Sequence, residues 1–246
     1  MKLILLRITA KNMKKTITYI SILVLGLWIE VSIASSETPE PFGRYLCNNP
    51  HFYCMDTPPN QDWIDLWPND RQRDLVMRLN RTNVAMKHRA WIVVPKEIKK
   101  LSLMDISPFP NVIEDPAHDK IIVVDKRLQA FGAYNEQGYL IYWGPATVGR
   151  KWCPDLQSSC LTPNGNYRIY RKEDASCVSK SFPVGEGGTP MPYCMFFYKG
   201  YALHGAQLPA IPSTHGCVGI YTNDAKWLNL NFITLGQQGT EVKISN

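Results

Sequence analysis

The run Ser213-Thr214-His215-Gly216-Cys217-Val218, preceded by His204-Gly205, holds the residue types of nucleophilic catalysis. A thiol attacks a carbonyl only as thiolate, so it needs a base or an electropositive pocket, and donors for the oxyanion that forms. His204 or His215 could supply the base. Gly216 permits a tight turn that exposes successive backbone N–H groups beside the sulfur. No Asp or Glu lies between 204 and 217, so a backbone carbonyl, that of Gly205 being nearest, is the expected orienting group. The competing chemistry is zinc held by His204, His215 and Cys217. His-x-Cys ligation is cramped, however, and no fourth ligand lies nearby in sequence. Neither a metal nor a cofactor is expected.

Cysteine usage sharpens the choice. Of seven cysteines, six fall into local pairs, Cys47 with Cys54, Cys153 with Cys160 and Cys177 with Cys194, although other pairings are formally open. The odd count leaves one thiol free or bridged to another chain, and Cys217 alone has two histidines close by. Its bland alternative is a buried small hydrophobe.

The pairing presumes export. Residues 1–34 read as a signal peptide: Lys2, Arg7, Lys11, Lys14 and Lys15, an apolar run from Ile17 to Ile29, then small residues at Ser32 and Ala34. An uncleaved anchor is the rival, but the run is short of the roughly 20 residues of a bilayer span. The membrane therefore enters only through the leader, and the expected location is the periplasm or cell envelope. Without residues 1–34 the formal +6 falls to +2, with 22 basic and 20 acidic side chains. Nucleic acid loses its compositional support.

The elements that must position the site follow. Residues 35–115 form an accessory region: a Pro-, Asn- and Cys-rich lead-in to 62, a helix over Arg71–Leu79 with Leu75, Val76 and Leu79 on one face, and a strand Trp91–Val94 stopped by Pro95. From 116 to 246 the texture is β. Ile121–Val124, Leu128–Tyr134 and Tyr139–Trp143 predict a meander. Tyr167–Arg171, Cys194–Tyr198, Ala202–His204 and Val242–Ile244 add strands. A helix follows the cysteine, with Thr222 or Asn223 as its cap and Asp224 in its first turn. Trp91, Trp143, Trp152 and Trp227 read as core residues, and His51, His88 and His118 as solvated or structural.

His204-Gly205 followed by Ser213-Thr214-His215-Gly216-Cys217 resembles the motif of the L,D-transpeptidase catalytic domain (YkuD-type). Lys120-Ile121-Ile122-Val123-Val124 with Gln129, Thr162-Pro163-Asn164-Gly165-Asn166-Tyr167, and Pro190-Met191-Pro192-Tyr193 resemble further family elements in the right order. The resemblance implies a mainly β fold: an L,D-transpeptidase-like β-sandwich with one short helix after the cysteine, plus a small N-terminal α+β annex. It implies a cysteine acyltransferase of cell-wall peptidoglycan biosynthesis. Cys217 would form a thioester with a tetrapeptide stem and pass it to an amine, giving a 3→3 cross-link or an anchored protein. His204 would be base and acid, with Gly205 holding its ring, and His215 and Gly216 would shape the oxyanion hole, with the Gly216 and Cys217 N–H groups as donors. Gly205, Ser213, Thr214, Tyr193, Arg150 and Lys180 would meet substrate, and carbapenems would acylate the sulfur. Segment 179–191 would act as a lid stapled by Cys177–Cys194, with Gly185, Gly187 and Gly188 permitting movement. The alternatives are a weakened peptidoglycan-binding envelope protein and a hydrolytic L,D-carboxypeptidase.

Two features depart from the family pattern. Gly219 stands where Arg or Asn is common, so Arg150, Lys151 or Lys180 would have to replace that side chain, or activity would be reduced. The loop Ala206–Pro212 is short and carries Pro209 and Pro212. The stretch from Leu79 to Pro95 also resembles part of a LysM glycan-binding module.

Overall fold

The computed structural model describes residues 40–114, 119–185 and 188–246. The expected leader, His118 and Gly187 lie outside them. Eleven strands are present among the described residues.

The accessory region supplies β1 (Phe52–Asp56), α1 (Trp63–Leu66), α2 (Asp70–Leu79) and β2 (Trp91–Pro95), with β1 and β2 paired antiparallel. Asp62 and Asp65 cap α1 reciprocally, and the Asn69 side chain caps α2 by accepting from the Gln72 N–H. Trp63, Trp67, Val76, Met86, Ile92 and Val94 close one small core. The stretch from Leu79 to Pro95 comprises the end of α2, a connection with a 3-10 turn at Met86–His88, and β2, while β1 precedes both helices.

Nine strands form the second sheet: β3 (Ile121–Asp125), β4 (Ala130–Tyr134), β5 (Leu140–Thr147), β6 (Gly165–Arg168), β7 (Arg171–Lys172), β8 (Met195–Tyr198), β9 (Tyr201–Gly205), β10 (Val218–Ile220) and β11 (Glu241–Ser245). Their order is β6-β11-β3-β4-β5-β10-β9-β8-β7, and β3–β4–β5 is a meander. The pairs β11–β3 and β10–β9 are parallel, the others antiparallel. The sheet curls until its two halves face each other. Tyr167 on β6 lies 5.3 Å from Phe197 and 5.0 Å from Tyr198 on β8, centroid to centroid. Ile122, Phe131, Met195, Leu203, Ile220 and Val242 fill the space between the halves.

Local chemistry moved several boundaries. Leu128–Tyr134 starts only at Ala130, because Gln129 is in a turn at φ 45°. Tyr167–Arg171 splits into β6 and β7. All of β4 is buried: Phe131 and Ala133 belong to the inner core, while Ala130 and Tyr134 belong to a second core with Leu75, Leu79, Val93 and Phe109 of the accessory region. Trp152 is not a core residue; it is 56% exposed.

Helix α3 (Thr222–Trp227) follows the cysteine, continued by a π-helical turn at Leu228–Phe232. Its cap is Tyr221, with no side-chain cap bond, rather than Thr222 or Asn223. Asp224 turns inward instead. The buried Arg78 of α2 grips it through Nη1–Oδ2 at 2.8 Å and Nη2–Oδ1 at 2.7 Å, and the Tyr142 hydroxyl donates to it at 2.7 Å. Burial works against both charges. Asp224 and Asp74 outweigh it at Arg78, whose pKa is pushed above its ordinary value, and the guanidinium stays charged. Gly144 makes room, since a Cβ there would sit 2.3 Å from Asp224 Oδ2. Removing one partner of a buried pair strands the other charge. Asp224→Ala is therefore expected to cost about 3–5 kcal/mol in urea unfolding, and Arg78→Met combined with Asp224→Leu to recover most of it.

Candidate active site

Parallel pairing of β9 with β10 sets the site. Val218 faces Leu203, Gly219 faces His204 and Ile220 faces Gly205. Residues paired across a sheet share a face, and residues two apart on a strand share it too. Leu203, Val218 and Ile220 point into the inner core, so His204 and Cys217 point out on the other face, diagonal neighbours across the ladder. They line one cavity of about 1060 Å³. Cys217 is the free cysteine; the other six form Cys47–Cys54, Cys153–Cys160 and Cys177–Cys194. Cys217 packs against a buried cluster of Cys177, Met191, Cys194, Phe196 and Ala202.

The turn before β10 holds the sulfur in place. Gly216 has φ +116°, and a Cβ there would lie 2.3 Å from the Tyr201 ring. The Thr214 hydroxyl donates to the Cys217 carbonyl at 2.6 Å and accepts the Gly216 N–H at 3.1 Å. The Gly216 N–H, expected as an oxyanion donor, is therefore engaged within the turn. His204 is 5% exposed, and its Nδ1 lies 3.0 Å from the Gly205 carbonyl. Because that carbonyl can only accept, Nδ1 carries the hydrogen and Nε2 is left as the ring's acceptor.

Charge is scarce at this pair. Burial pushes the Cys217 thiol up from its ordinary value, partly offset by the Ala202 backbone. Burial pushes the His204 imidazole down, partly offset by Gly205. Both directions favour a neutral thiol beside a neutral imidazole.

Of the residues expected to meet substrate, Gly205, Ser213, Thr214 and Arg150 line the cavity; Tyr193 and Lys180 do not. Tyr193 sits in a left-handed turn at φ 57°, its N–H given to the Asp174 carbonyl, and its ring packs on the main core. Pro192 takes the wall position, and its carbonyl accepts the Gly205 N–H at 2.8 Å. Lys180 is exposed, with its neighbours Ser179, Ser181 and Phe182 in the wall. The Ser213 hydroxyl is within 2.9 Å of Thr147 Oγ1. Arg150 has a buried Nε without a partner among the described residues. Gly219 has no space for a side chain: a Cβ would lie 2.8 Å from both Ala206 and Thr147.

One residue escaped the sequence reading. Asp155 Oδ2 lies 2.7 Å from His215 Nε2. Phe182 stacks on the same ring at 4.7 Å, and Arg150 Nη2 is 3.3 Å from Nε2. Sixty positions separate Asp155 from His215, and only the pairing of the flanking cysteines hinted that this loop is ordered. The zinc alternative loses its geometry, because the ligand atoms of His204, His215 and Cys217 do not gather within 4.8 Å of one another among the described residues.

Two outcomes are expected. Gly216→Ala should abolish thiol reactivity at Cys217 while most of the fold persists, read by iodoacetamide labelling and circular dichroism. In the wild type, the alkylation rate of Cys217 should rise only above the pH range of an ordinary thiol, because the thiolate forms late. A preformed thiolate–imidazolium pair would instead give a reactive plateau reaching into acid.

A profile of the L,D-transpeptidase catalytic domain family (YkuD) matches residues 119–244. No curated protein matches the chain. Among solved structures, an L,D-transpeptidase from Xylanimonas cellulosilytica is 23% identical, covering 56% of this chain and 65% of its own, with a TM-score of 0.46. One from Stackebrandtia nassauensis is 23% identical, covering 57% and 61%, TM-score 0.44. L,D-transpeptidase 3 from Mycobacterium tuberculosis, in complex with a faropenem-derived adduct, is 19% identical, covering 52% and 60%, TM-score 0.41. The chain thus spans less than two thirds of each of these relatives. On the profile match, which takes in the sheet, the cavity and the Cys217 turn, the chain belongs to the L,D-transpeptidase catalytic domain family.

Proposed function

We propose that the protein is an exported peptidoglycan L,D-transpeptidase with Cys217 as nucleophile. The observation that carries this reading is the unpaired thiol sharing one sheet face and one cavity with a buried imidazole whose tautomer leaves an acceptor nitrogen. In the first half-reaction His204 Nε2 takes the thiol proton as Sγ attacks the carbonyl between the L-centred diamino acid and terminal D-alanine of a tetrapeptide stem. An S–C bond forms, and the oxyanion is met by the Cys217 N–H. The C–N bond then breaks, and D-alanine leaves with the proton from His204. In the second, an amine attacks the thioester, His204 takes its proton, the C–S bond breaks, and the sulfur recovers a proton.

Arg150 is the proposed anchor for a stem carboxylate, because it lines the cavity with an unpartnered Nε while position 219 has no space for a side chain. Three closed disulfides support an oxidising compartment, hence the periplasm or envelope.

Purified tetrapeptide stems incubated with the protein should yield dimers lacking one D-alanine, detected by mass, and Cys217→Ala should leave the stems unchanged. Loss of D-alanine alone would make the enzyme a carboxypeptidase, and unaltered stems would point to a binding protein. Imipenem should add its mass to Cys217 in the wild type only.

A further inference from the structure

We propose that Asp155 is a positioning residue for this reaction, acting through His215 by fixing which ring nitrogen carries the proton. The inference rests on the transpeptidase reading and deepens it. A carboxylate can only accept, so at 2.7 Å from Asp155 Oδ2 the Nε2 atom must carry a hydrogen. A guanidinium can only donate, so Arg150 Nη2, 3.3 Å from the same nitrogen, is not bonded to it in this state. The Asp155 carboxyl is held below its ordinary range by the hydrogen bond from His215 first, with the Arg150 charge adding to it.

Fixing Nε2–H leaves the lone pair of the neutral ring on Nδ1. That atom is bonded to Cγ, on the backbone side of a ring two residues before Cys217. Asp155 thereby fixes the direction of the dipole of a ring that lines the same cavity as Cys217. Without the carboxylate, Arg150 becomes the nearest partner of Nε2 and favours the opposite tautomer.

The contact is not an accident of a loose loop. Asp155 sits between Cys153 and Cys160, which are bonded to each other. The exit of that loop is tied to the backbone that also carries the turn. The Gly149 N–H donates to Thr162 Oγ1 at 2.9 Å, and the Arg150 N–H donates to the Thr214 carbonyl at 3.0 Å. Loop and strand pass so close that a Cβ on Gly149 would lie 1.8 Å from the Cys160 carbonyl. From the other side Phe182, between Cys177 and Cys194, covers the ring face at an interplanar angle of 21°. Two disulfide-closed segments therefore converge on one imidazole.

The test uses full-length protein with 15N-labelled histidine and long-range 1H–15N correlation at a pH where the ring is neutral, beside the transfer assay. In the wild type, His215 should show the Nε2–H form. Asp155→Ala should shift it toward Nδ1–H and lower kcat on the order of tenfold or more with little change in KM. Asp155→Asn, whose amide oxygen still accepts, should keep the tautomer and most of the turnover. A wild-type ring in the Nδ1–H form would overturn the proposal. So would an alanine variant with unchanged tautomer and turnover, or an asparagine variant as slow as alanine with the ring unchanged. The spectra report on the ring whatever the substrate, so failure of the transpeptidase reading would show in the transfer assay alone.

Discussion

The parallel ladder between β9 and β10 is the constraint on which the site depends. Parallel neighbours cannot be joined by a tight turn, yet only 12 residues separate Gly205 from Val218. The connection must leave one strand end, travel back and enter the next from the same end, and it carries the cysteine turn at its close. Had the two strands slipped by one residue, Cys217 would face the inner core and His204 the cavity. Inner-face residues Leu203, Val218 and Ile220, all fully buried, make that slip costly. The apolar core thereby sets the catalytic register.

A connection that short still needs bracing, and the accessory region supplies it. The Asn83 amide donates to the Ala206 carbonyl at 3.1 Å and accepts the Leu208 N–H at 2.7 Å. Thr82 Oγ1 donates to the Leu208 carbonyl at 2.8 Å, and the Phe42 N–H to that of Ala210 at 2.8 Å. Four contacts satisfy backbone groups of a loop that has no ladder of its own. On the far side of β10, Arg78 grips Asp224. Residues 40–114 thus hold both ends of the segment that carries Cys217, and they belong mechanically to the site.

This division explains what the sequence made legible. The odd cysteine, the His-Gly and Ser-Thr-His-Gly-Cys runs, the meander and α2 are local patterns, and each was readable as such. Contacts made between distant segments were not. Nothing local marks Asn83 or Asp155, and Asp224 reads only as an acid in the first turn of a helix. Burial on both faces also erased signals: β4 shows no alternation because the accessory region covers its outer side. Tyr193 was expected at the site from the family-like Pro190–Tyr193 element, and Lys180 as a stand-in for the side chain missing at Gly219. One left-handed residue turns the tyrosine away, and the lysine points to solvent.

Burial of the Cys217–His204 pair has a chemical logic of its own. A thiolate held permanently beside an imidazolium would be nucleophilic at rest and open to oxidation under any conditions that close the three disulfides. In the proposed reaction a neutral pair would delay the charge until a carbonyl is within reach, so that proton transfer and attack proceed together. The cost is that the thiolate must form in a poorly solvated place, where nearby dipoles act with little screening. That requirement puts weight on the few polar groups near the pair: the Gly205 carbonyl at the base, the Ala202 backbone at the thiol and the Thr214-fixed turn. In so sparse a field, moving one proton from one ring nitrogen to the other changes the sign of a dipole two residues from the reacting atom. Holding His215 between a carboxylate and a stacked ring, each on a disulfide-closed segment, is a means of keeping that dipole constant.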